Sequence, residues 1–256
     1  MVQQWLTVCA VLMAIALNGL SNFYPPRGQN IGEVSNTTLG GVLITPDGYA
    51  FAIWGLIYIG LITYSVYQVL PANRHEPALV GISSGLIGAC VLQMCWVYAF
   101  LNYRFWLSAL LMFGIVACLA FAYLRSRTLN PTRNIRWLVQ APMSVYFGWI
   151  TVAAVVNVAS AVHIMENSAE IPVTGAMGWV IVLMCISGVI AYTVAAKYGD
   201  AAYPAVTVWA LSAIAVRHAG TLQPIAVTGV VLAVALSVFI VRIVATGQGR
   251  LRKSGS

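Results

Sequence analysis

The sequence predicts an all-α fold, a polytopic transmembrane helix bundle of about eight spans. Three observations carry this reading: 61% of the 256 residues are hydrophobic, only 7% are charged, and apolar runs of membrane-crossing length recur along the whole chain. A soluble domain carries about 25% charged residues, so a chain this poor in charge has lipid as its solvent. Crossing a hydrocarbon layer of about 30 Å takes roughly 20 apolar residues in a helix that rises about 1.5 Å per residue.

The runs fall at residues 5–22, 49–70, 78–101, 105–124, 137–161, 176–196, 201–217 and 223–243. The first lacks a basic leader and a clear cleavage site, and reads as a span and not as a signal peptide. Helix-breaking segments separate the runs, such as Pro71 to Pro77 and Arg125 to Pro131. A membrane sheet would show alternation over about ten residues, and these runs are longer and uniformly apolar. On the third run, Gly81, Ser84, Gly85 and Gly88 fit small-xxx-small packing, first within the bundle and second as a dimer seam.

Loop charge orients the bundle. With eight spans, Arg74, Arg125, Arg127, Arg133, Arg136, Lys197, Arg242, Arg250, Arg252 and Lys253 share one face, against Arg27, Arg104 and Arg217 on the other. Short cytoplasmic loops collect Lys and Arg, which places both termini in the cytoplasm. The net charge of +7 therefore reports topology, and no nucleic-acid partner is expected. The lipid bilayer is the expected surrounding.

Several chemistries lack their residues. A retinal Schiff base needs a lysine in mid-membrane, and Lys197 and Lys253 lie at a span end and in the tail. Asp47, Glu76, Glu166, Glu170 and Asp200 fall in loops, while Arg104, Arg217 and His218 sit near span ends and are expected to snorkel towards headgroups, which leaves no intramembrane charge for ion coupling. Cys9, Cys90, Cys95, Cys118 and Cys185 lie in apolar runs and read as small buried hydrophobes. His163 and Glu166 have helical spacing but are too few to hold a metal. No catalytic residue and no metal ligand is expected, and the chain reads as a non-enzyme.

Aromatic and amide groups are what the bundle does contain. Trp54 and Tyr58 stand at i, i+4, Gln93 and Trp96 at i, i+3, with Phe100 one turn on; Tyr146, Trp149 and Asn157 follow in the fifth run. Each pair shares a helix face and is placed to line one cavity, where buried amides must find partners on other helices or on a ligand. Trp and Tyr also gather at membrane interfaces as anchoring belts, and composition leaves both readings open.

Pro46-Asp-Gly-Tyr-Ala-Phe-Ala-Ile-Trp54-Gly-Leu-Ile-Tyr58, Leu92-Gln-Met-Cys-Trp96-Val-Tyr-Ala-Phe100 and Tyr146-Phe-Gly-Trp149 followed by Asn157 together resemble the translocator protein family of tryptophan-rich sensory proteins. The likeness covers residues 5–161. Gln93 stands where the family has Asn, and Val145 where it has Pro, with Pro142 three residues upstream. The resemblance implies a five-helix bundle over residues 1–165, whose pocket, capped by the loop after the first span, binds porphyrin, haem or a chlorophyll-type tetrapyrrole without a covalent link. Trp54, Tyr58, Gln93, Trp96, Phe100, Tyr146, Trp149 and Asn157 are then the ligand-binding residues of a sensor or carrier for a flat hydrophobic small molecule. Slow porphyrin degradation is the enzymatic variant. Residues 166–256 add three helices and a basic tail, suited to a homodimer or a larger membrane complex; a structural or assembly subunit is the alternative function.

Overall fold

The computed structural model describes residues 2–166 and 173–246, and helix is the regular structure throughout them. In chain order the elements are α1 (Val2–Phe23), α2 (Ile31–Asn36), a short 3-10 turn (Gly48–Ala52), α3 (Ile53–Val69), α4 (Pro77–Leu101), α5 (Phe105–Ser126), α6 (Arg133–Ile135), a π-helical turn (Arg136–Gln140), α7 (Ala141–Glu166), α8 (Val173–Tyr198), α9 (Ala202–His218) and α10 (Gln223–Thr246). Glu170 and the basic residues Arg250, Arg252 and Lys253 lie outside the described residues.

Seven described helices are long and apolar enough to cross a membrane. The expected eighth, α9, has 17 residues, about 25 Å at 1.5 Å per residue, the lower limit of a crossing. Tyr203, Pro204, Thr207, Ser212 and Arg217 dilute its apolar character.

The chain forms two compact units, one of residues 1–40 and 51–161, the other of residues 41–50 and 162–256. In the first, α4 packs most extensively on α5, and α1 lies against both α3 and α4. The α4–α5 contact follows from the small residues: a Cβ on Gly85 would sit 2.7 Å from the Cys118 carbonyl oxygen and 3.0 Å from Ala122 Cβ, and Gly81 and Gly88 face Arg125 and Cys118. The glycine stripe is thus a seam inside the bundle. The turn between these helices places Tyr103 at φ 61°, a left-handed conformation that L side chains rarely adopt. Its hydroxyl donates to Gln29 Oε1 at 3.0 Å, and the Arg27 guanidinium lies 4.9 Å from its ring centre.

The π-helical turn ahead of α7 has a local cause. Pro142 lacks an N–H, and its ring would crowd the carbonyl one α-turn earlier; widening the preceding turn, with Ala141 N–H donating to the Arg136 carbonyl, makes room. Pro142 Cβ then lies 3.1 Å from where a Cβ on Gly60 would be, so α3 and α7 approach closely.

In the second unit α8, α9 and α10 pack pairwise, α9 and α10 most extensively. Gly229 permits this: a Cβ there would meet the Leu211 carbonyl oxygen at 2.9 Å and Ala215 Cβ at 3.0 Å. Residues 41–50 are fastened to α9. Trp209 Nε1 donates to the Ala50 carbonyl at 3.0 Å, the Asp47 N–H to the Ala213 carbonyl at 3.3 Å, and Arg217 to the Pro46 carbonyl at 3.4 Å. His218 Nε2 pairs with the Leu43 carbonyl at 2.7 Å, and Tyr49 meets the Trp209 ring edge-on at 5.2 Å.

Two sequence expectations need correction. His218 does not snorkel: it is 5% exposed, because an imidazole nitrogen satisfies a loop carbonyl that would otherwise be orphaned. Asp200 lies between helices as expected but is buried, capping α9 by accepting the Ala202 N–H at 2.9 Å. Only Cys90 of the five cysteines is buried, whereas Cys9, Cys95 and Cys185 are exposed on helix faces, since in lipid an apolar side chain has no reason to turn inward.

Gly85→Leu is expected to lower thermal stability in detergent by more than about 2 kcal/mol, through overpacking against α5 backbone. Gly55→Leu, at a glycine with open space around it, is expected to leave the melting temperature unchanged, as followed by circular dichroism.

Candidate functional site

The eight sequence-derived residues lie within the first unit, on α3, α4 and α7; contacts join Trp54, Tyr58, Tyr146 and Gln93 in one group and Trp96, Phe100 and Asn157 in another, and Trp149 meets Phe51. Trp54 and Tyr58 lie in tilted contact along α3 with ring centres 5.5 Å apart, and Trp54 meets Tyr146 of α7 edge-on at 6.2 Å. The Tyr146 hydroxyl donates to Gln93 Oε1 of α4. One turn further along α4, Trp96 stacks on Phe100 at 5.3 Å, and Phe100 meets Phe105 of α5 at 5.6 Å. Trp149 is met edge-on by Phe51 at 6.0 Å.

Two amides organise these rings. Asn157 Oδ1 accepts the Trp96 indole N–H at 3.0 Å and has Ser108 Oγ at 3.0 Å, while its Nδ2 donates to the Ala153 carbonyl at 2.9 Å. A single side chain thereby ties α4, α5 and α7. Gln93 does the same for α4 and α7 through Tyr146. Where the family motif has Asn, the longer Gln reaches its partner across the helix gap, so the substitution keeps an amide in the core.

Burial separates the two readings of the aromatics. Trp96, Phe100, Tyr146, Trp149, Gln93 and Asn157 are buried, and Trp54 and Tyr58 half-buried. Trp5, Trp106 and Trp137 are exposed and stand in the first turns of α1 and α5 and in the π-helical turn, where an interfacial belt is anchored. Trp54, Trp96 and Trp149 thus belong to the cluster and Trp5, Trp106 and Trp137 stand where a belt is anchored, while Trp209 is engaged by the Ala50 carbonyl.

Tyr58 stands apart from its neighbours. Its hydroxyl oxygen is buried and has no hydrogen-bond partner among the described residues. A buried hydroxyl left unsatisfied costs about 1–3 kcal/mol, which a bound acceptor would recover. Among the described residues no three His, Cys, Asp or Glu side chains gather as a metal site.

A second polar group escaped the sequence reading. Gln4 and Gln68, both buried, join α1 to α3: Gln68 Nε2 donates to the Gln4 carbonyl at 3.4 Å, and Gln4 Nε2 to the Arg74 carbonyl at 2.8 Å. Ser83 Oγ donates to Gln68 Oε1, and the Tyr64 hydroxyl lies 2.9 Å from Ser83 Oγ and 3.1 Å from the Leu79 carbonyl oxygen. The amide at position 68, inside the 49–70 run, was the available signal, since a polar side chain inside an apolar run demands a partner.

Replacing Asn157 by Leu is expected to cost about 1 kcal/mol of stability and to shift Trp emission, because Trp96 Nε1 loses its acceptor; Asn157→Asp, which keeps Oδ1, should retain the emission of the parent chain.

No curated protein and no solved structure matches the chain. The family model described as TSPO-like protein matches residues 4–242, beyond the 5–161 over which the motifs are legible and through α8, α9 and α10. With seven apolar helices of crossing length, the chain is an integral multi-pass membrane protein, and it belongs to the TSPO-like family.

Proposed function

We propose that the chain is a non-enzymatic sensor or carrier that binds a tetrapyrrole or a similarly flat, hydrophobic molecule at the α3–α4–α7 aromatic cluster. The observation that carries this reading is the Tyr58 hydroxyl, buried without a partner beside a Trp54 ring that is itself half-exposed. Aromatic faces suit a broad π surface by offset and edge contacts. The free hydroxyl suits a polar edge such as a propionate, and a hydrogen bond to a charged acceptor is the stronger kind. Gln93 and Asn157 are already engaged with Tyr146 and Trp96, so their role is to hold the ring walls, and ligand orientation falls to Tyr58.

Titration of the purified chain with protoporphyrin IX, read by Trp quenching and Soret absorption, tests this. Tyr58→Phe is expected to weaken binding about tenfold, or about 1.4 kcal/mol, and Trp54→Ala at least as much, while Trp106→Ala in the belt leaves it unchanged. Equal affinities in all four proteins would refute the site. Recovery of the porphyrin with its mass unchanged distinguishes binding from degradation.

A further inference from the structure

The second unit carries a groove of about 850 Å³ between α9 and α10. Buried Ala215, Ala226 and Ala233 form its floor, and exposed Val216, Val234 and Val241 its rim. At one end stands Arg242, which lines the groove, is exposed, and has no carboxylate partner among the described residues. We infer that this groove is a binding site for one anionic phospholipid, with an acyl chain lying along the alanine floor and its phosphate paired with Arg242.

Length and charge select this occupant. From Ala226 to Arg242 the groove follows α10 for sixteen residues, about 24 Å at 1.5 Å per residue and most of a hydrocarbon layer of about 30 Å. The length of an acyl chain starting at the charge is therefore accommodated along the groove. A lone arginine at the end of an apolar span is costly unless it pairs or reaches the headgroup layer, and a phosphate oxygen pair matches the guanidinium fork. Because α9 and α10 are antiparallel neighbours, the α8–α9 turn with Lys197 lies at the same end of the unit as Arg242. Lys197 and Arg242 thus put basic charge at the end of the unit where an anionic headgroup would sit. Asp200 in that turn is committed to capping α9. The inference rests on the second unit alone and is independent of the aromatic cluster.

The test is native mass spectrometry of the full chain released from nanodiscs of equal phosphatidylglycerol and phosphatidylcholine. The wild type is expected to retain one phosphatidylglycerol per chain, at least tenfold over phosphatidylcholine. Arg242→Gln should abolish the preference, Arg242→Lys should keep part of it, and Ser237→Phe, which fills the groove without touching the charge, should remove the retained lipid altogether. Helix content by circular dichroism confirms that each variant is folded. Equal retention of both lipids by the wild type would overturn the site. So would a dimer that Ser237→Phe converts to monomer, since the groove would then belong to a second copy of the chain.

Discussion

A polar side chain inside hydrocarbon must find its partner on a neighbouring helix, and the Asn157 carboxamide is where this demand does most to define the first unit. Its oxygen receives the Trp96 indole N–H, has Ser108 Oγ at 3.0 Å, and its nitrogen returns to the Ala153 carbonyl. Between apolar helices in lipid there is little hydrophobic drive to association. Close packing at small residues brings α4 and α5 together at Gly85, while amide bonds fix which face of each helix turns inward. The aromatic cluster is a consequence: once Gln93 and Asn157 are engaged, the rings of Tyr146, Trp96 and Phe100 have their places.

The second unit solves a different problem with the same rule. Residues 41–50 form no long helix, and their carbonyls need donors that lipid cannot give. Trp209, Arg217 and His218 of α9 supply them at Ala50, Pro46 and Leu43. Arg217 and His218 at the edge of α9, read from the sequence as headgroup contacts, instead bind carbonyls of this connecting segment.

How much of this could be read beforehand depends on range along the chain. Trp54 with Tyr58, and Gln93 with Trp96, are four and three residues apart, and helical spacing alone places each pair on one face; their geometry was legible. So was the close approach at the glycines at 81, 85 and 88, because a stripe of small residues marks where another helix comes near, although only the structure assigns that helix to α5 and not to a second copy. Gln4 and Gln68 are 64 residues apart, and Leu43 and His218 are 175 apart. No local pattern couples such positions, and the polar residues there announced only that a partner was needed. The outward cysteines were misread for another reason: burial in an apolar run of a membrane protein means contact with lipid as often as with protein, and sequence does not separate the two.

The most direct measurement is purification from the native membrane in mild detergent, followed by absorption spectroscopy and mass spectrometry of everything that travels with the chain. The account predicts a single kind of chain carrying one flat, strongly absorbing ligand per molecule. A preparation with no such ligand, or one in which pigment travels only as part of a many-protein assembly, would contradict it.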